Sequence, residues 1–254
     1  MKRLKATVAY NGSRFHGFAV NDDVRTVAGD LEAALSRVTR GPVTIVCAGR
    51  TDRGVHGRGQ VISFDVGDKF NYTLGRLQSS INQMCGPEIS IRDLEEVPAD
   101  FHARFSAHWR RYRYKIWNRY AGDPLLTGLA WHIRRPLNVD HMNAAAAYFI
   151  GEQDFASFCR RPKAEPGMPE HSLVREVIEA EWTRGREDPE LLTFEIRASS
   201  FCHQMVRAIV GTLVEVGLGE IEVGEVPKIL AAKDRTIAGA VAPPQGLTFW
   251  DVGY

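Results

Sequence analysis

Two β-rich apolar runs, Val43–Ala48 and Gln60–Val66, bracket a loop that holds three glycines, two arginines and a single carboxylate: Gly49-Arg50-Thr51-Asp52-Arg53-Gly54-Val55-His56-Gly57. Apolar, branched runs of this length favour strands. The loop therefore sits at two strand ends, where a rigid scaffold positions side chains for function. A carboxylate among arginines is ionised at neutral pH, which suits a nucleophile or a charge stabiliser better than a general acid. The segment also reads as a solvated turn, because Gly and Asp are ordinary turn residues and Asp–Arg pairs are common on surfaces. Taken alone, it leaves both readings open.

The surrounding periodicities predict an α+β chain with a largely antiparallel sheet. Residues 4–10 alternate as a strand, and Thr26 caps a helix whose Val27, Leu31, Ala34, Leu35 and Val38 recur at helical spacing. Tyr72–Met84 reads as a second helix and Glu88–Leu94 as a strand. The first half, 1–106, thus runs strand, helix, strand, strand, helix, strand. The second half, 107–254, is predicted to hold strands at 107–118, 173–183, 191–198 and 247–252, with helices at 139–150, 202–216 and 225–232. Pro162, Pro166 and Pro169 with Gly167 mark an exposed loop, and Glu220–Val226 a polar connection.

At 254 residues and 44% hydrophobic content, a sizeable core is expected. No apolar run approaches the ~20 residues of a membrane span, and MKRLKATVAYNG looks like a first strand rather than a signal peptide. A cytoplasmic protein without a membrane partner is expected. Cys47, Cys85, Cys159 and Cys202 are scattered with no C-x-x-C pair, which argues for packed, reduced thiols and against zinc or a disulfide framework. No histidine spacing implies a metal, and no dinucleotide or phosphate-loop fingerprint implies a small-molecule cofactor.

A net charge of +1 conceals a strongly uneven distribution. Phe101 to Gly122 contains no acidic residue, while Arg104, Arg110, Arg111, Arg113, Lys115 and Arg119 alternate with Phe105, Trp109, Tyr112, Tyr114, Trp117 and Tyr120. Cations neutralise phosphates and aromatic faces stack on bases, so this stretch, with Arg110, Arg111 and Arg113 at its centre, is a candidate RNA contact. An aggregation-guarding sheet edge is the plainer alternative. Strand parity puts Arg110, Tyr112, Tyr114 and Ile116 on one face and Arg111, Arg113, Lys115 and Trp117 on the other. On the 202–216 helix, His203 and Arg207 share a face beside the stripe Val206, Ile209, Val210, Leu213 and Val216. Arg207 at that boundary needs an acidic partner. His203 reads as solvated, and His56 as a loop brace.

The words AGRTDRGVHG followed by QVISF, then DFHARFSAHWRRYRYKI, FCHQMVRAIVGTLVEVG and finally GLTFWDVGY resemble, in that order, the tRNA pseudouridine synthase A family, from about Leu4 to Tyr254. The resemblance implies the pseudouridine synthase fold: two pseudo-symmetric α+β halves whose sheets join across a basic cleft. It implies that Asp52 attacks or stabilises C1′ of a uridine as the N1–C1′ bond breaks, after which the uracil turns and rejoins through C5. Tyr112 occupies the catalytic tyrosine position of the R-x-Y word, Arg207 is the implied partner of Asp52, Arg50 would fill the vacated base stack, and Leu247 would wall the uracil. Unstacking the uridine costs a few kcal/mol, which cationic and aromatic surroundings offset. A tRNA substrate in the anticodon arm, at positions 38 to 40, a homodimer and no cofactor are further implications.

The family commonly begins Y-D-G-x-x-(F/Y)-x-G-W-Q, whereas this chain has Tyr10-Asn11-Gly12-Ser13-Arg14-Phe15-His16-Gly17-Phe18-Ala19, and the turn at Gln83-Met84-Cys85-Gly86 is also altered. These departures are expected to bear on RNA positioning more than on chemistry, and leave open another RNA target. The rival class is a non-catalytic RNA-binding or tRNA-folding module. A pyrimidine methyltransferase would need a nucleophilic cysteine and a methyl-donor pocket, and no Gly-rich strand-to-helix turn supplies one.

Overall fold

The computed structural model describes residues 1–67, 72–161 and 172–254, so the expected proline-rich loop lies outside the described residues. Two compact units emerge: Met1–Arg110 together with Thr248–Tyr254, and Arg111–Leu247. The closing strand, expected with the second half, belongs mostly to the first unit, because Thr248 and Phe249 pair in parallel with His56 and Gly57.

In the first unit the strands are β1 (Lys2–Tyr10), β2 (Val46–Cys47), β3 (His56–Val66), β4 (Ile89–Val97) and β10 (Leu247–Gly253), ordered β4-β1-β3-β10 with β2 beside β3. β1 is antiparallel to both β3 and β4. Alternation in β1 buries Leu4, Ala6, Val8 and Tyr10. Helix α1 (Val27–Thr39) covers that face with Val27, Leu31 and Leu35, and α2 (Leu74–Cys85) adds Leu77 and Ile81. Thr26 does cap α1, its Oγ1 accepting from the Gly29 N–H at 3.2 Å. The strand expected over Val43–Ala48 shrinks to two residues. The Val43 and Ile45 N–H groups donate to Ser36 Oγ (3.0 Å) and Glu32 Oε1 (2.9 Å) on α1, so side chains of the helix take the bonds a strand neighbour would have made.

The second unit orders its strands β5-β9-β8-β7, where β5 is Trp109–Asn118, β7 Gly151–Asp154, β8 Val174–Arg184 and β9 Leu191–Ala198; β6 (Trp131–Ile133) lies parallel to β5. β8 is antiparallel to β7 and β9. The helices are α3 (Val139–Ala146), α4 (Met205–Gly217) and α5 (Val226–Ala232). α4 is buried on nearly every side, and a β-carbon on its Gly211 would lie 1.7 Å from the Ala240 carbonyl oxygen, so only glycine admits the returning chain there. Among the described residues no helix is long and apolar enough to cross a membrane.

Two cysteines depart from the expectation of free thiols. Cys159 and Cys202, 43 residues apart in sequence, are joined as a disulfide with Cα atoms 5.8 Å apart. The pairing arises from tertiary packing: the Arg160 N–H donates to the His203 carbonyl at 3.0 Å, which lays the two segments side by side. Cys47 and Cys85 remain free, and burial pushes the Cys47 thiol up to about 11.

Candidate active site

The Asp52 loop runs from Ala48, whose N–H donates to Val61 on β3, to Val55, whose N–H closes back on the Asp52 carbonyl at 3.1 Å. Four buried groups hold it. Gln60, fully buried on β3, straddles Gly49: its Oε1 accepts from the Gly49 N–H (3.2 Å) and its Nε2 donates to the Gly49 carbonyl (2.6 Å). The Tyr10 hydroxyl lies 2.8 Å from Thr51 Oγ1, and burial raises that phenol above its ordinary value, so it stays protonated. His56 Nδ1 accepts from the Gly12 N–H at 3.1 Å, the bracing role expected of it.

The fourth group corrects an expectation. Arg110 is buried, and its guanidinium donates to the carbonyls of Ala48 (3.3 Å, from both Nε and Nη2), Ala107 (3.0 Å) and Arg104. It ties the first residue of the Asp52 loop to the 104–107 turn. A cation enclosed by carbonyls in this way does not face an RNA phosphate.

The divergent segment Asn11–Ala19 also proves to lie against the Asp52 loop. The Phe18 N–H donates to the Thr51 carbonyl at 3.0 Å, and the Phe18 ring packs 5.6 Å from that of Tyr10. A β-carbon on Gly12 would stand 2.0 Å from the Val55 carbonyl oxygen. Its substitutions therefore bear on the carboxylate's support, and not only on RNA positioning. Within the loop Asp52 is half-buried, whereas Arg50 and Arg53 are exposed.

The second unit holds the other expected residues. Alternation on β5 is as predicted: Tyr112, Tyr114 and Ile116 are buried, and Arg111, Arg113 and Lys115 half-buried, though Trp117 is buried too. The Tyr112 ring stands edge-on to Phe201, centroids 5.0 Å apart. Tyr114 is fully enclosed, its hydroxyl donating to the Pro243 carbonyl at 2.8 Å, and burial raises its phenol far above the ordinary range. Arg207 clasps the same returning chain: its Nε donates to the Ala242 carbonyl (2.7 Å) and its own carbonyl accepts from the Ala242 N–H (3.0 Å). Tyr114 and Arg207 thus fix the segment that ends at buried Leu247. His203 is exposed, but it lies two residues ahead of α4 and so does not share the expected helix face with Arg207.

The basic strand is not without counter-charge. Glu195, on the neighbouring β9, accepts from Arg111 Nη1 at 2.9 Å and from Arg113 Nε at 2.5 Å. A window along one strand cannot see a carboxylate supplied by the next. Exposed aromatic surface survives nearby in sequence: Phe105 is 76% exposed, its ring stacked 4.4 Å from His102 with the Arg104 guanidinium 5.5 Å away.

Comparison with known proteins now decides the family. The family described as tRNA pseudouridine synthase matches residues 6–106 and 145–254. The chain belongs to the tRNA pseudouridine synthase family. Among its relatives, tRNA pseudouridine synthase A of Brevibacillus brevis is 42% identical over the whole of both chains. The protein of that name from Moorella thermoacetica is 40% identical, again over the whole of both. That of Klebsiella pneumoniae is 40% identical over 99% of this chain and 90% of its own. The family match takes in Asp52, its supports Tyr10, His56 and Gln60, and most of the 104–107 turn that Arg110 holds. Sequence reasoning missed Tyr10, Gln60 and the bracing role of Arg110. Gln60 carried a signal, as an amide standing directly before the apolar pair Val61–Ile62.

Proposed function

We propose that this chain converts uridine to pseudouridine in tRNA, with Asp52 as the nucleophile or charge stabiliser at C1′. The observation that carries the reading is the single carboxylate set in a loop whose backbone is held by Gln60 and Arg110, with Tyr10 on the Thr51 hydroxyl and the loop's own His56 bound to the Gly12 N–H. Preorganised groups cost no rearrangement when the reaction occurs. In the reaction the N1–C1′ bond breaks, C5 bonds to C1′, the C5 proton leaves and N1 takes up a proton. Nothing is oxidised. Tyr112 is assigned the proton-handling role and Arg207 the positive charge that the resemblance pairs with Asp52. Arg50 serves the vacated stack and Leu247 the uracil wall. Arg111 and Arg113 contact RNA only to the extent that Glu195 leaves their charge unmatched.

The finer reading places the target uridines at positions 38 to 40 of the anticodon arm, in the cytoplasm, with a homodimer as the working species. Sequencing with pseudouridine-specific chemistry on RNA from cells with and without the gene tests the target: loss of signal at positions 38 to 40 is expected. Loss elsewhere would move the target, and no loss at all would favour the non-catalytic RNA-binding module. Light scattering should give about twice 28.4 kDa.

A further inference from the structure

A cavity of about 520 Å³ opens in the second unit, lined by Arg160, Arg161, Lys233, Asp234 and Arg235 together with Ala156 and Cys159. Its two cationic walls lie more than 70 residues apart in sequence, yet both are anchored. Ser157 Oγ donates to the Ile229 carbonyl of α5 at 2.6 Å, and Lys233 Nζ reaches Asp154 Oδ2 at 2.9 Å. Cys159, beside Arg160, is bonded to Cys202. Lys233 ends α5 in the left-handed conformation (φ 53°), where glycine is usual. Its side chain is thereby retained at a position that favours having none.

Among the described lining residues, carboxylates are outnumbered by cations. Asp234 turns back on its own turn, accepting from the Thr236 N–H (2.9 Å) and hydroxyl (2.7 Å), and Asp154 is taken by Lys233. Among the described residues the lining thus holds four cations and one carboxylate, while Asp154, outside the lining, pairs with Lys233. Among the described residues no ion pair within 4 Å engages Arg160, while the Arg161 charge, together with the Lys233 bond, helps to hold the Asp154 carboxyl below its ordinary value. On β5, by contrast, a single carboxylate holds two arginines at once.

We propose that this cavity is a phosphate subsite that takes the phosphodiester backbone of the RNA substrate. The proposal rests on the RNA reading above. Guanidinium forks match the oxygens of a phosphate in pairs, whereas Lys233 is already held by Asp154. The volume falls within the range that admits a small ligand, enough for one phosphate and its sugar.

Binding of an unmodified tRNA transcript to the full chain, measured across a range of salt, tests it. Removing one phosphate contact lowers the log–log slope by about one unit, so R160A/R161A should lower it by about two, while R160K/R161K, which keeps both charges, should restore it. An unchanged slope in folded R160A/R161A would overturn the proposal. Calorimetric titration with inorganic phosphate forms the second arm: phosphate binding that R160A/R161A abolishes, with the tRNA slope unmoved, would overturn RNA as the ligand and leave free phosphate. Tritium release from 5-labelled uridine by the wild-type chain is read separately. Its absence alongside a shifted slope would remove the isomerase reading and keep the subsite.

Discussion

The Asp52 loop and the basic strand β5 look alike in sequence, each a run of arginines among apolar residues, but the fold uses their charge in opposite ways. In the loop, buried Tyr10 and Gln60 hold the Thr51 hydroxyl and the Gly49 backbone, and Arg50 and Arg53 are left exposed around a half-buried carboxylate. On β5 the cations are drawn inward: Arg110 is enclosed by backbone carbonyls, and Arg111 and Arg113 share Glu195. Arginine density therefore does not mark the RNA surface by itself. What separates the two regions is whether neighbouring elements supply acceptors.

Substitutions should separate the two regions in the same way. Outside Asp52 itself, the largest effect is expected at Tyr112. Tyr112→Phe should cut turnover by about 10²-fold or more while keeping tRNA affinity, because a positioned proton-handling group contributes on that scale. Equal losses in Tyr112→Phe and Tyr114→Phe would show that the wrong tyrosine was chosen.

Arg110→Ala comes next. It strands the carbonyls of Ala48, Ala107 and Arg104 without their donor and should cost about 3 kcal/mol of stability. Urea unfolding measures this, and at temperatures where the variant stays folded kcat should fall more than KM rises. Loss of tRNA affinity with unchanged stability would return Arg110 to the RNA surface.

Tyr114→Phe removes one hydrogen bond to the Pro243 carbonyl and should cost about 1 kcal/mol with a mild loss of turnover. The smallest effect belongs to β5. Arg111 and Arg113 changed together to Ala should flatten the salt dependence of tRNA binding by less than the roughly two units expected of two full phosphate contacts, because Glu195 already holds both. Glu195→Gln releases them and should steepen that dependence. A full two-unit loss in the double variant, with no response to Glu195→Gln, would make the strand a direct phosphate contact after all.

The local elements were legible because they are written in local pattern. The cap at Thr26, the alternation of β1 and the parity of β5 each rest on residues a few positions apart. The loop that carries Asp52 stood out through its glycines and arginines. What escaped was set at long range. Glu195 lies 82 residues beyond Arg113, Ala48 lies 62 before Arg110, and Cys202 lies 43 after Cys159. No window along the chain reveals such partners. The support that the divergent Asn11–Ala19 segment gives the Asp52 loop was hidden for the same reason, since its contact with Thr51 exists only once β1 and β3 are paired.

Tritium release from tRNA carrying 5-labelled uridine, compared between the wild-type chain and Asp52→Ala, bears most directly on the assignment of chemistry to the braced loop. Release by the wild type and none by the variant is expected, with the variant's stability and tRNA affinity within about 1 kcal/mol of the parent, because a loop carboxylate contributes little to the core. Turnover by Asp52→Ala above a few per cent of wild type would contradict the account.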